Sequence, residues 1–159
     1  MQEIQIVCYG NPAPQGSKKA LMRPGARFPS VVESSGEKLK RWRYEVAQAA
    51  AEEMRRQGLA LMLGAVWIDI SFHLIRPKSH FGSGNNQRNI KPKSPAHHTQ
   101  KPDIDKLTRA VLDSLSGQVY RDDSQVMHLV ASKHWCKAAP CVVVRVKQLQ
   151  WSAAQGGNS

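Results

Sequence analysis

Apolar and polar residues alternate along four segments of the chain, and this alternation predicts four β-strands. The clearest alternation covers residues 66–75, and three others cover residues 4–9, 126–135 and 141–149. Successive side chains of a strand point to opposite faces of a sheet, so each segment should bury one of its two faces.

Two other segments repeat their apolar residues with the 3.6-residue period of an α-helix. The first starts after Ser34, which is followed three residues later by Glu37 in a capping-box pattern, and Gly58 should end it. The second covers roughly residues 105–115, and Gly117 should end it. Each helix has one apolar face, which predicts that both pack on a sheet.

Three further segments lack periodicity. Residues 11–30 are rich in proline and glycine, and we interpret them as a loop, or at most a loose hairpin. Residues 76–102, the basic loop, hold six Lys or Arg residues, three His residues and no acid. We expect the basic loop to order on binding a polyanion, with an ordinary surface insertion as the alternative. Residues 151–159 should form a flexible tail.

The order of these elements predicts an α+β fold, a two-layer sandwich of two main helices on a mixed β-sheet. A chain of 159 residues is most simply a single domain, here residues 1–150. Its three cysteines, Cys8, Cys136 and Cys141, lack a zinc-binding spacing, and we expect them to be reduced core thiols.

The chain is strongly basic, with 23 Lys and Arg residues against 12 Asp and Glu residues and a formal net charge of +11. Such an excess attracts either nucleic acid or an anionic membrane surface. No apolar run approaches the roughly 20 residues that a spanning helix needs, and the N-terminus lacks a secretory signal pattern. We therefore expect a cytoplasmic protein that binds nucleic acid and no membrane.

Against this basic background, five of the six aspartates fall within residues 103–123. Clustered carboxylates repel one another, so the cluster needs a compensating cation. Carboxylates are the hard oxygen ligands that Mg²⁺ prefers, and a bound metal ion can generate a water-derived nucleophile that attacks a phosphodiester. The cluster therefore predicts a metal-dependent nuclease.

The spacing of these aspartates suggests how they meet. Asp103 and Asp105 follow Pro102 at the entrance of the second helix, where an extended or N-cap segment points residues two apart to one side. The helix dipole offsets part of their repulsion. Asp122 and Asp123 lie past the helix, on a turn that can return one of them to its N-terminal end.

Other polar residues of these segments receive structural or binding interpretations. Asp113 lies four residues after Arg109 and should pair with it on the helix surface. His97 and His98 lie in the basic loop without a spaced partner motif for a metal, so we expect them to contact phosphate.

The string DIDKLTRAVLDSL followed by VYRDDSQV, about residues 101–126, resembles the RusA family of Holliday-junction resolvases of bacteria and their prophages. The early PAPQGSKK and the basic loop ending in KP also resemble phage members. The resemblance implies a homodimeric endonuclease that depends on Mg²⁺, with Mn²⁺ as a possible substitute. It would resolve four-way DNA junctions by paired symmetric nicks during recombination and repair. The implied catalytic metal ligands are Asp103, Asp105 and Asp123.

Two positions depart from the family pattern. Lys106 stands where the family usually has Asn, and Arg109 stands where it usually has the active-site Lys. Arginine keeps a fixed positive charge that can hold a phosphate, but it donates a proton less readily than lysine. Lys106 could supply the missing ammonium group, so both residues are candidate catalytic residues.

The basic residues of the two loops are the candidate DNA contacts: Lys18, Lys19, Arg76, Lys78, Arg88, Lys91, Lys93 and Lys101. Two alternatives stay open. One is a non-enzymatic basic DNA-binding protein whose acids only cap a helix and a turn. The other is a general metal-dependent nuclease without junction selectivity.

Overall fold

The computed structural model describes residues 2–16, 18–21, 24–25, 27–28, 30–33 and 36–150, and for residues 18–21 and 30–33 it describes the backbone alone. The tail predicted at residues 151–159 and the predicted capping residue Ser34 lie outside these ranges. The elements in chain order are β1 (Glu3–Tyr9), β2 (Lys18–Leu21), β3 (Ser30–Glu33), α1 (Glu37–Arg56), β4 (Val66–Ile75), α2 (Ile104–Leu115), β5 (Val126–Cys136) and β6 (Cys141–Gln148).

The main sheet has four strands in the order β1-β6-β4-β5. β6 runs antiparallel to both of its neighbours, and β5 runs parallel to β4 because the chain crosses over through α2 between them. The sheet is therefore mixed, as the sequence predicted. β2 and β3 pair with each other in a separate antiparallel sheet, so residues 11–30 contribute to a hairpin.

Both helices cover the same face of the main sheet. α1 buries Leu39, Trp42 and Val46, and α2 buries Leu107 and Val111, all in one cluster with the inward residues of β1, β4 and β6. Burying an apolar side chain of this size contributes about 1.5–3 kcal/mol. No helix among the described residues covers the second face, which confirms the α+β fold with two layers.

Both helices end before the predicted glycines, but α1 does not begin at the predicted capping box. α1 begins at Glu37 with Gly36 as its N-cap residue, so the cap predicted at Ser34 is wrong. Gly58 and Gly117 have φ of 62° and 79°, the left-handed conformation that favours glycine after a helix. Within the described ranges, no helix is long and apolar enough to cross a membrane.

The basic loop has a defined fold although its sequence lacks periodicity, and its ordering on binding DNA stays a prediction. It contains 3₁₀ turns at Lys78–His80 and Gly84–Asn86, and Phe81 pairs with Ile90 in an isolated β-bridge. Short turns and an isolated bridge of this kind do not repeat along the chain, so they leave no periodic pattern for sequence analysis to detect.

The three cysteines are free thiols, but only Cys8 belongs to the core. Cys136 and Cys141 are half-buried, at the two ends of the turn that joins β5 to β6. Burial raises the pKa of the Cys8 thiol to about 11, so this thiol is protonated at neutral pH.

Candidate active site

A cleft of about 510 Å³ opens between α2 and the edge strand β5, and we call it the acid cleft. Its lining residues are Ile104, Asp105, Thr108, Arg109, Leu112, Asp123, Leu129 and Ala131. Three of the predicted site residues, Asp105, Arg109 and Asp123, thus line one cleft, although they are up to 18 positions apart in sequence. The turn after α2 therefore brings Asp123 back beside the start of the helix, as the spacing of the aspartates predicted.

The other two predicted catalytic residues sit together beside the acid cleft. Asp103 is the N-cap residue of α2, but its side chain makes no cap hydrogen bond. Its carboxylate lies 3.4 Å from the Lys106 ammonium, and both side chains are partly exposed. Lys106 lines a second cleft, with residues 10–16 and the start of α1. The two residues are therefore paired with each other and do not line the acid cleft.

The turn before β5 gives its two aspartates different environments. A 3₁₀ turn covers Asp123–Gln125, and Asp122 is its N-cap residue. The Asp122 carboxylate accepts a hydrogen bond from the Ser124 amide at 2.9 Å, and the Gln125 side chain accepts one from the Asp122 amide at 2.9 Å. The Asp122 carboxylate is thus already engaged in a capping box. Its pKa is lowered, chiefly by the hydrogen bonds from Ser124. Asp123 is left to line the acid cleft.

The pKa of Asp123 is raised above its ordinary value. Asp123 is exposed as a residue, but partial desolvation of its carboxyl group contributes most, followed by the negative charge of Asp113, and the charge of Asp122 adds to it. A hydrogen bond with Tyr120 acts in the opposite direction. A carboxyl group crowded by other carboxylates is destabilised as an anion until a cation compensates the charge.

The acid cleft fits a hard divalent cation. Within the described part of the chain, no three His, Cys, Asp or Glu side chains converge as a ready-made metal site. Mg²⁺ does not need such a cage, because it usually keeps several waters and binds through one or two carboxylates. Asp105 and Asp123 supply two carboxylates in one cleft. The pKa of Asp123 is raised by desolvation first and by neighbouring carboxylates second, and a bound cation would offset both effects.

The predicted pair of Asp113 with Arg109 is wrong. Asp113 instead lies 3.6 Å from the guanidinium of Arg43, because α1 packs alongside α2 and brings this cation to it. Arg109 is exposed on the cleft side of α2 and forms no ion pair within the described ranges. Its charge therefore faces the acid cleft.

The candidate DNA contacts of the basic loop are mostly at the surface. Their exposed members are Lys78, Arg88, Lys91, Lys93 and Lys101. Arg76 is half-buried: it donates a hydrogen bond to the Pro95 carbonyl at 3.0 Å and lies 5.1 Å from the Trp135 ring centroid. The side chains of Lys18 and Lys19 lie outside the described part of the chain.

His98 is buried against β5, an environment that does not favour the predicted contact with phosphate. Its ring lies 3.9 Å from the Trp135 ring, centroid to centroid. Burial lowers its pKa, and the charge of Lys133 lowers it further. A lowered pKa favours the neutral imidazole at physiological pH, which attracts phosphate less than a charged one. His97 is exposed, and its contact with phosphate stays a prediction.

Sequence reasoning missed three residues that support the site. Gln125 completes the capping box and donates hydrogen bonds to the carbonyls of Met62 and Gly64. Trp135 anchors the basic loop, and Lys133 contacts the backbone just before Asp103. The position of Lys133 carried a signal: a lysine on the inward-facing side of a strand is unusual unless it has partners.

Comparison with known proteins identifies the family of this chain. Residues 10–147 match the family described as endodeoxyribonuclease RusA. A relative from Bacillus subtilis (strain 168), named "Uncharacterized protein YqaN", is 29% identical over 149 residues, which cover 94% of this chain and 99% of the relative. The family match begins directly after β1 and includes both helices, β4, β5, all but the last residue of β6 and the whole acid cleft. The chain therefore belongs to the RusA family of endodeoxyribonucleases.

Proposed function

We propose that this protein is a Mg²⁺-dependent endonuclease that resolves four-way DNA junctions by paired symmetric nicks in recombination and repair. The observation that carries the proposal is the meeting of Asp105, Asp123 and Arg109 in one cleft of a RusA-family chain. Two acids for a cation and one fixed positive charge for a phosphate are the parts that phosphodiester hydrolysis needs.

Asp105 and Asp123 would hold Mg²⁺, or Mn²⁺ in its place, and Asp103 would add a third carboxylate from the N-cap position. The ion would supply a water of lowered pKa as the nucleophile. Asp103 is exposed and lacks a cap hydrogen bond, so its carboxylate can leave Lys106 at little cost.

Arg109 and Lys106 would share the cationic task. Arg109 lines the acid cleft without a partner in the described ranges, so it would hold the scissile phosphate and stabilise the charge of the transition state. Lys106 would be freed when Asp103 turns towards the metal ion, and its ammonium would then approach the same phosphate. Arginine does not give up its proton, so Arg109 would serve as a fixed positive charge and Lys106 would supply the ammonium group.

The basic loop would bind the arms of the junction. Its five exposed cations are spread over residues 78–101, immediately before the Asp103–Asp105 pair. Phosphate contacts of this kind position a duplex without reading its sequence. A folded loop also loses less conformational entropy on binding than a disordered one.

The protein would act as a homodimer, because one chain has one acid cleft and symmetric nicking of two strands needs two. β5 supports a dimer interface: it is the outer strand of the main sheet, and Met127, Leu129 and Val130 are exposed along it. An apolar edge strand with free backbone groups favours pairing with another strand. Two copies of β5 can pair antiparallel about a twofold axis.

A titration of Mg²⁺ with a labelled four-way junction and a duplex of the same sequence tests the proposal. We expect cuts at symmetric positions in two opposite strands of the junction and little cutting of the duplex. Equal cutting of both substrates would indicate a general nuclease. Tight junction binding without cuts at any Mg²⁺ or Mn²⁺ concentration would indicate a DNA-binding protein and overturn the proposal.

A further inference from the structure

Lys133 occupies an inward position of β5, where the alternation of the strand otherwise places apolar residues. The register pairs Lys133 with Phe72 of β4, which is fully buried, and the preceding inward residues of β5 are Leu129 and Ala131. Lysine is rarely drawn inwards unless its ammonium group finds hydrogen-bond partners there.

The partners of Lys133 are two backbone carbonyls just before the candidate metal ligands. Its ammonium donates hydrogen bonds to the Gln100 carbonyl at 2.7 Å and to the Pro102 carbonyl at 2.9 Å. Pro102 directly precedes Asp103, the N-cap residue of α2. Hydrogen bonds from a charged donor are roughly twice as strong as those between neutral groups.

Lys133 is the last of three attachments between β5 and the chain that leads into α2. Arg76 holds the Pro95 carbonyl and lies over the Trp135 ring, and His98 packs on the same ring. Residues 95–102 are thus fixed to β5 before the helix begins. Trp135 contacts the earlier part of this segment through the His98 ring, and Lys133 donates hydrogen bonds to carbonyls at its end.

We infer that Lys133 is a positioning residue, which sets where Asp103 and Asp105 lie relative to Asp123. β5 then places both groups of acids: Asp123 through the turn that leads into the strand, and Asp103 and Asp105 through the Lys133 ammonium. The consequence for metal binding rests on the proposed Mg²⁺ site, whereas the effect on the backbone does not.

Three variants test this inference. Lys133→Met keeps the length of the side chain but removes the donors, and Lys133→Arg restores a charged donor. Lys137→Met is the matched control, because Lys137 is exposed on the turn after β5. If Lys133→Met does not fold, Lys133→Gln, which keeps one amide donor, takes its place. Melting temperatures measured on all of them establish that the variants are folded.

We expect Lys133→Met to weaken the binding of Mn²⁺ to the DNA-free protein by about tenfold or more, since residues that orient metal ligands have effects of this size. Single-turnover cleavage at limiting Mn²⁺ should fall in parallel, while junction affinity without metal stays within about twofold of the control. Lys133→Arg should recover most of the Mn²⁺ affinity. Equal Mn²⁺ affinity in Lys133→Met and Lys137→Met would overturn the inference.

Hydrogen exchange separates this inference from the proposed function. Lys133→Met should exchange faster than Lys137→Met at the amides of residues 100–107, including the Leu107 amide, which donates to the Asp103 carbonyl. This readout needs neither metal nor DNA, so it remains decisive if the wild type never cuts a junction. Unchanged exchange in that segment would refute the role of Lys133 directly.

Discussion

At the scale of single residues, two neighbouring aspartates show how local contacts select a candidate ligand. The Asp122 carboxylate accepts a backbone hydrogen bond in a capping box, whereas Asp123 lines the acid cleft with a raised pKa. A carboxylate already used in a cap is a poor choice for a metal ion. This contrast makes Asp122→Asn a close control for Asp123→Asn, because asparagine also serves well as an N-cap residue.

We predict that Asp105→Asn and Asp123→Asn each lower single-turnover cleavage of a four-way junction by about 10² or more. Each variant keeps the shape of the side chain but removes a charged oxygen ligand. Junction binding, measured by gel shift in EDTA, should be unchanged. Asp122→Asn should cleave nearly as well as the wild type. A normal rate for Asp123→Asn would show that the third ligand is misassigned.

The raised pKa of Asp123 predicts the direction in which the free energy of unfolding changes with pH. Between the ordinary carboxyl pKa and the raised value, the folded state binds more protons than the unfolded state. The unfolding free energy without metal should therefore fall as pH rises through that window. Asp123→Asn removes the effect, so it should gain stability relative to the wild type.

Urea unfolding in EDTA from about pH 3 to about pH 7 measures this difference. We expect the gain of Asp123→Asn over the wild type to grow as pH rises and to shrink when Mg²⁺ is added, because the cation stabilises the wild-type carboxylate. A difference that is independent of pH would contradict the raised pKa.

The position of Arg109 in the acid cleft suggests a test of its role in catalysis. Arg109→Ala should lose roughly 2–4 kcal/mol of transition-state stabilisation, and Arg109→Lys should stay close to the wild type, if the residue serves only as a fixed charge. Single-turnover rates decide the question, with Arg145→Ala on the opposite face of the sheet as the control. A rate within about threefold of the wild type for Arg109→Ala would leave the cationic role to Lys106.

At the scale of elements, β5 combines several tasks in one strand. Leu129 and Ala131 form a wall of the acid cleft, Lys133 holds the backbone before α2, and Trp135 anchors the basic loop. All four residues share one side of the strand, because side chains two apart point the same way. Among the described residues, no strand pairs with the outer edge of β5.

We predict that Met127→Glu and Val130→Glu shift the protein towards monomers in sedimentation velocity at micromolar concentration. Both residues are exposed on β5, at 65% and 43%, and a charge along an edge strand opposes its pairing. Tyr44→Glu is the control, since Tyr44 is equally exposed but lies on α1. An unchanged dimer in both β5 variants would place the interface elsewhere, and a wild type that is monomeric with a junction bound would contradict the dimer itself.

At the scale of the whole molecule, the net charge is +11, whereas the acid cleft is lined by the carboxylates of Asp105 and Asp123. The cations attract DNA over a distance that salt limits, and the acids repel it unless a cation compensates them. Binding and cleavage should therefore respond differently to metal and to salt.

Removal of divalent ions with EDTA should abolish cleavage and leave junction binding intact. Ca²⁺ should restore little cleavage, because its looser coordination does not position the reacting groups as Mg²⁺ does. Raising the salt concentration should weaken binding in proportion to the number of phosphate contacts. Full activity in excess EDTA would refute the metal site.

The sequence by itself determined the strands of the main sheet, the two helices and the charged residues of the acid cleft. Apolar periodicity is a local property, so the four strands of the main sheet and the inward face of α1 could be recognised without a structure. The acids could be paired across the cleft because only a short helix and turn separate Asp105 from Asp123. The sequence string that carries the resemblance to the RusA family lies in the same short stretch.

Tertiary structure alone decided which partners the remaining polar residues have. Asp113 pairs with Arg43 of the other helix, and His98 is buried on Trp135, because elements distant in sequence pack together. Contacts with β5 also fix the end of the basic loop, where Lys133 donates a hydrogen bond to the Pro102 carbonyl, 31 positions earlier in the chain. Such contacts depend on the crossing of whole elements, which no local pattern of residues records.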